Sequence, residues 1–137
     1  MSDNLFHLEI ITPEKVLISD DVDSAEIPGK YGEFQILAGH TPFLTSLDVG
    51  PVTIMKGVNK TFVSISGGYC EVMPDKTTIL AHTAESAKEI DRERAEAAHK
   101  RAQKRLLDVG KDASVNADRA KLALLRAINR INTVNMK

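Results

Sequence analysis

The chain changes character once, near residue 84, and that break constrains its fold more than any single motif. All five Pro, both Tyr and all four Phe lie before it, as do seven of the eight Gly. Residues 1–84 carry 5 Lys/Arg against 11 Asp/Glu, a formal charge of −6. Residues 85–137 carry 13 Lys/Arg against 8 Asp/Glu, a formal charge of +5. Turn formers, aromatics and β-branched residues suit short strands. Ala, Glu, Lys, Arg and Leu suit helices. The sequence therefore reads as α+β and mainly β, with a β domain over 1–84 and a basic helical appendage over 85–137.

Within the first stretch, Phe6, Leu8 and Ile10 alternate with His7 and Glu9, as on a half-buried strand. Further runs are Val16–Ile18, Val22–Ile27, Phe34–Leu37, Phe43–Leu47, Val52–Met55, Thr61–Ser66, Tyr69–Met73 and Thr77–Ala81. Pro28-Gly29, Gly50-Pro51, Gly57, Gly67-Gly68 and Pro74-Asp75 punctuate them as turn signals. About nine short strands with such spacing predict an antiparallel sandwich or flattened barrel. No crossover helix fits between the runs, so parallel βαβ units are not expected.

The second stretch predicts two helices. Ser86-Ala87-Lys88-Glu89 matches a capping box, so the first helix is expected from Ser86 to about Asp108. Val109–Asp112 interrupts it, with Gly110 as a left-handed cap. The second helix is expected from about Ala117 to Asn132, and the short connection favours an antiparallel hairpin. Ala95, Ala98, Ala102 and Leu106 share one face of the first helix; Ala120, Leu124, Ala127 and Ile131 share one face of the second. Leu122, Leu125 and Asn129 lie on another face, and Arg119, Arg126 and Arg130 form a third stripe. Alanine seams let helices approach closely but bury little area, so the hairpin is expected to dock weakly, with a spare apolar face left to cover. Such an element is a candidate for switching between two positions.

Several function classes lose support. The 137 residues carry a formal net charge of −1, against a chain-wide polyanion binder. The basic appendage has no aromatics, which weakens a nucleic-acid reading further. One Cys excludes a disulfide framework and a multi-cysteine zinc site. Cys70 falls inside a strand-like run, as a small buried side chain would. His7, His40, His82 and His99 show no metal-ligand spacing. No nucleophile elbow, Walker A or dinucleotide fingerprint appears, so a stand-alone enzyme lacks its nucleophile and base. The apolar runs are too short for a membrane helix and the polar start is no secretory signal, which suggests a soluble protein of a reducing compartment.

Four segments then point to one family. They are Ile27-Pro28-Gly29-x-x-Gly32-Glu33-Phe34-x-Ile36-Leu37-x-Gly39-His40-x-Pro42, Ser66-Gly67-Gly68 with the strand to Val72, Ile90-Asp91-x-x-Arg94-Ala95, and Arg119-Ala120-x-Leu122-Ala123-x-x-Arg126-Ala127-x-Asn129-Arg130. Together they resemble, in order and over essentially the whole chain, the epsilon-subunit family of rotary F-type ATP synthases. The resemblance implies a ten-stranded antiparallel β sandwich followed by an antiparallel two-helix hairpin. It implies a non-catalytic subunit of the central rotor stalk, at the cytoplasmic face of the bacterial inner membrane and bound to the membrane only through the complex. The implied partners are the gamma subunit, the ring of c subunits, and the alpha and beta subunits of the catalytic head, with no nucleic acid.

The resemblance also implies site residues. Tyr31, Gly32, Glu33, Gly39, His40 and Pro42 would face the c ring and gamma. Glycines with Glu33 and His40 on a β scaffold suit a recognition loop, and equally an ordinary solvated turn. Arg119, Arg126 and Arg130 would meet an acidic segment of beta when the hairpin extends and blocks ATP hydrolysis. No catalytic residue, metal or resident cofactor is implied. Some bacterial members bind regulatory ATP on the folded hairpin, and the matching residues here are Glu85, Ile90, Asp91, Arg94, Arg126 and Arg130. Asp91 and Arg94 also stand at the i,i+3 spacing of a helix-surface ion pair.

Overall fold

A computed structural model describes residues 4–108 and 116–136. The expected helix break at Val109–Asp112, with Gly110, lies outside the described residues. Eight strands precede two helices. The strands are β1 (Phe6–Ile11), β2 (Val16–Val22), β3 (Ser24–Gly29), β4 (Gly32–Leu37), β5 (Phe43–Lys56), β6 (Asn59–Val72), β7 (Lys76–Ala81) and β8 (Ala84–Ser86). The helices are α1 (Arg92–Leu107) and α2 (Ala117–Asn135).

Strand count departs from expectation because two turn signals lie inside long strands. Gly50-Pro51 sits within β5 and Gly67-Gly68 within β6. β5 and β6 form a continuous antiparallel hairpin from Phe43↔Val72 to Lys56↔Asn59. The glycines are needed for bending rather than for turning. Gly68 has φ +144°, and a Cβ there would collide with the Leu80 carbonyl. A Cβ on Gly50 would stand 2.7 Å from Pro28 Cβ.

Bending lets both long strands serve two layers. In one layer the order is β2, β1, β7, the second half of β6 and the first half of β5. In the other it is β4, β3, the second half of β5, the first half of β6 and β8. The eight strands thus supply the five-plus-five layering of a ten-stranded sandwich. Most pairs are antiparallel, but β1 and β7 run parallel, from His7↔Lys76 to Ile11↔Leu80. No crossover helix is required, because the strands between them make the crossover.

Alternation fills the core between the layers. Phe6, Leu8 and Ile10 of β1 point in while His7 and Glu9 point out. Ala25 and Ile27 of β3, Ile36 of β4, Val63 and Ile65 of β6, and Ile79 of β7 complete a dry apolar interior. Cys70 lies in the same core, and burial pushes its thiol up to about 12, so it is a packing residue and not a nucleophile.

The first helix starts later than its sequence signal. Ser86 belongs to β8, opposite Val63, and the Ala87 N–H donates to the Phe62 carbonyl at 2.8 Å. The sheet thus uses the backbone that a capping box would need. Ala87 and Ile90 are buried, and the helix begins at Arg92 with Asp91 as its cap. The Asp91 Oδ1 accepts from the Arg94 N–H at 3.1 Å. Asn116 caps α2 in the same way, accepting from the Arg119 N–H at 3.0 Å. α2 runs three residues past the expected Asn132, to Asn135.

The helices pair antiparallel through buried Ala95 and Ala102 of α1 and Ala120 and Ala127 of α2. Arg92 Nη2 donates to Asn135 Oδ1 at 2.6 Å, tying the start of one to the end of the other. α2 also lies on the sandwich, against β5 and β6. Its contact face holds Asn129, Thr133 and Val134, all buried.

Candidate functional site

Where α2 meets the sandwich, a cleft of about 580 Å³ opens. This lies within the usual size range of small-molecule sites, about 300–1,000 Å³. Its hairpin side carries Arg94, Arg126, Asn129 and Arg130. Its sandwich side carries Ser64, Ile65 and Ser66 of β6, the segment from His82 to Glu85, and the Thr12–Lys15 turn.

Alternation along β6 sets the contact. Val63 and Ile65 point into the core, so Ser64 points out toward the helix. Asn129 Nδ2 donates to Ser64 Oγ at 2.8 Å and to the Ile65 carbonyl at 3.3 Å. Thr133 Oγ1 donates back to the Asn129 carbonyl at 2.7 Å. Beside them Arg130 meets Glu85, with Nη2 donating to Oε2 at 3.1 Å. Arg130 Nε stands 2.8 Å from Oε1 but off the line of its N–H, so that buried nitrogen lacks a directional hydrogen bond. Neither Arg94 nor Arg126 has a carboxylate partner among the described residues. Three guanidinium groups therefore line one cleft with a single carboxylate engaged, an arrangement that favours an anion.

Of the six residues matched to an ATP site, four line this cleft: Glu85, Arg94, Arg126 and Arg130. Ile90 is buried beneath the start of α1, and the Asp91 carboxylate caps that helix. Asp91 therefore spends its side chain on the Arg94 backbone instead of pairing with the guanidinium. The arginine stripe of α2 is not one uniform surface. Arg119 is exposed and outside the cleft lining, Arg126 is exposed at the cleft, and Arg130 is half-buried in it against Glu85.

The loop residues fall into two groups at opposite ends of β4. Tyr31, 88% exposed, and Gly32, at φ +131°, form the β3–β4 turn, with Glu33 exposed beside them. Gly39, at φ +79°, His40 and Pro42 lie in the β4–β5 loop. The His40 ring lies tilted against Phe43 with centroids 5.2 Å apart, and its Nδ1 lies 2.8 Å from the Thr41 carbonyl. Four residues of β4, Phe34–Leu37, separate the groups, roughly 13 Å of strand at about 3.3 Å per residue.

Two features escaped the sequence reading. One is the role of Asn129, which the sequence places on a face with Leu122 and Leu125 and which is the polar centre of the docking contact. The other is an exposed apolar patch on the outer face of the first layer. Tyr69 stands directly opposite Leu80, with Leu44 two positions along from Tyr69's own partner Ser46. Leu44, Tyr69 and Leu80 are 70%, 56% and 52% exposed.

Comparison with known proteins accounts for this architecture. The family described as "ATP synthase, Delta/Epsilon chain, beta-sandwich domain" matches residues 5–87. The family described as "ATP synthase, Delta/Epsilon chain, long alpha-helix domain" matches residues 88–135. This chain belongs to the ATP synthase epsilon chain family. An ATP synthase epsilon chain from Bacillus cytotoxicus is 42% identical over 132 residues, covering 96% of this chain and 98% of the relative. One from Syntrophobacter fumaroxidans is 48% identical over 124 residues, covering 90% and 91%. Among solved structures, a chain of the Euglena gracilis mitochondrial ATP synthase (OSCP/F1/c-ring) shares the fold at a TM-score of 0.81. That match is 22% identical and covers 97% of this chain and 82% of that one. The family's junction at residues 87 and 88 falls just after β8. No helix among the described residues is long and apolar enough to cross a membrane.

Proposed function

We propose that this chain is a non-catalytic subunit of the central stalk of a bacterial ATP synthase, peripheral to the cytoplasmic face of the membrane. The stalk reading is supported above all by the family match over residues 5–87 and 88–135. The regulatory reading is supported by how the hairpin is attached, by an alanine seam and a few hydrogen bonds over an arginine-lined cleft. A rigid sandwich transmits torque, while a weakly attached basic arm is free to regulate. In the docked position Arg130 faces Glu85. When the arm extends, Arg119, Arg126 and Arg130 become available to an acidic segment of beta, and ATP hydrolysis is blocked.

The two outer faces of the sandwich divide the remaining work. One carries the hairpin. The other carries Leu44, Tyr69 and Leu80, an apolar surface suited to the gamma subunit. The groups around Tyr31–Glu33 and Gly39–Pro42 offer polar and aromatic contacts to the c ring and gamma. Lying at opposite ends of β4, they are suited to different parts of that interface.

ATP fits the cleft as a regulatory ligand. Arg94, Arg126 and Arg130 supply charge-assisted hydrogen bonds for phosphate oxygens, and a ligand bound between hairpin and sandwich stabilises the docked arm.

Affinity purification of the tagged chain from solubilised membranes tests the assignment. Gamma and c subunits are expected with it, and Tyr69→Asp with Leu80→Asp is expected to release gamma. Recovery of no stalk subunit by the unaltered chain sinks the reading. Replacing Arg119, Arg126 and Arg130 by Ala is expected to raise ATP hydrolysis by the assembled complex without uncoupling it.

A further inference from the structure

The cleft has a second wall that carries hydrogen-bond donors. Opposite the hairpin arginines stand Lys15 and His82, both on the sandwich and both exposed. Neither belongs to the hairpin or to the segments that first marked the family.

Both are presented by fixed backbone. The Thr12 N–H donates to the Lys15 carbonyl at 2.9 Å, closing the turn between β1 and β2. Thr12 Oγ1 accepts from the N–H groups of Glu14 and Lys15 at 3.3 and 3.2 Å. The His82 N–H donates to the Gly67 carbonyl at 3.0 Å. Thr83 Oγ1 donates to Ser66 Oγ at 2.7 Å, pinning the next residue. Neither the Lys15 ammonium nor the His82 ring has a protein partner among the described residues. Against them stand Glu14 on the same turn and Glu89 across the cleft, while Glu85 is engaged by Arg130.

Donors held in place without partners, on both sides of one cavity, are suited to an anion long enough to reach both. We propose that Lys15 and His82 are the sandwich half of the anion site and hold the phosphate chain of a nucleoside triphosphate whose other contacts are the hairpin arginines. This rests on the ATP reading above and extends it. The ligand ties the hairpin to the sandwich through its phosphates, so its phosphate number, more than its base, determines how firmly the hairpin is held.

Calorimetry on the full chain with ATP, AMP and tripolyphosphate tests this. Lys15→Gln and His82→Gln are each expected to weaken ATP and tripolyphosphate binding about three- to tenfold, the net worth of an ordinary hydrogen bond at a solvated site. Binding of AMP is expected to be weak and the same in both variants. Glu14→Gln is expected to tighten ATP, and Lys15→Arg to retain it. Both Gln positions are exposed, and an unchanged Tm confirms an intact fold. If both Gln variants bind ATP as the unaltered chain does, the sandwich wall is not part of the site, and if AMP loses as much as ATP, the wall does not hold the phosphate chain; in either case the ATP reading stands. If the unaltered chain binds no ATP, both readings fall.

Discussion

The inside of the sandwich and the seam between sandwich and hairpin are built on opposite principles. The first is dry and apolar: Leu8, Ile10, Ile27, Ile36, Ile65 and Ile79 are each less than 2% exposed. Such a core is cooperative, because each side chain loses most of its value when its neighbours leave. The second is held by small side chains and a short set of polar contacts, Asn129 with Ser64 and Arg130 with Glu85. Hydrogen bonds contribute modest net energy because water competes for the same groups once the seam opens. The difference teaches that a subunit can be rigid and switchable at once if the switch is placed where little apolar area is lost.

Truncation in the core should have the largest effect. Leu8→Ala is expected to lower stability by about 3 kcal/mol, within the range of about 2–5 kcal/mol for large-to-small core changes. Urea unfolding of the full chain measures it. The loss should appear in the sandwich transition and leave α1–α2 pairing unaltered until that transition. A loss below about 1 kcal/mol would show that the layers pack loosely, and the contrast drawn here would fail.

Next in size is the centre of the seam. Asn129→Ala removes both hydrogen bonds and leaves the Ser64 hydroxyl without its partner. A cost of about 1–3 kcal/mol is expected, confined to docking. Hydrogen exchange reads it directly: amides of α2 should lose protection while those of β1, β6 and β7 keep theirs. Equal loss in both regions would make the hairpin part of the core.

How much of this was legible beforehand follows from the range of each signal. Alternation in β1 and the alanine faces of both helices are local patterns, and they appear where the sequence placed them. The six matched residues converged only in part, because Ile90 and Asp91 are used to turn the chain from β8 into α1. Asn129 shares a face with Leu122 and Leu125 in the sequence, and nothing local announces a partner 65 residues away. Ser86 carried a sound capping signal that lost to sheet pairing: β8 pairs with β6, and the Ala87 N–H was already committed to Phe62. The two glycine signals inside β5 and β6 were real, but they mark bends that carry strands between layers. A run-length argument cannot tell a bend from a turn.

A smaller effect is expected from the ion pair beside Asn129. Glu85→Gln keeps the shape and removes the charge facing Arg130. The pair is part-exposed, so a coupling of about 1 kcal/mol is expected from a double-mutant cycle with Arg130→Gln, again on docking alone. The change also removes a carboxylate from the cleft. ATP, if bound there, should therefore bind Glu85→Gln more tightly even as the empty hairpin docks less well. Opposite signs for these two measurements would separate the latch from the ligand site. The same sign for both would mean that the latch and the ligand site act as one unit through Glu85.

The smallest effect belongs to the sandwich surface and serves as the control. Lys56 Nζ stands 2.8 Å from Asp20 Oδ2, joining β5 to β2 in open solvent. The hydrogen bond from Lys56 holds the Asp20 carboxyl below its usual range, and the same bond raises Lys56. A carboxyl depressed in the folded chain contributes stability above its unfolded pKa, and loses it as pH falls through the lower folded value. Lys56→Met should therefore show its small deficit, in the manner of exposed pairs, at neutral pH where the pair contributes fully, and the variant and the unaltered chain should converge as pH falls below about 4. Added salt should shrink even that difference. Melting curves of the variant from pH 2 to 7 check it. Any effect on α2 protection would be evidence that the sandwich surface and the seam communicate, which the separate construction of the two regions does not allow.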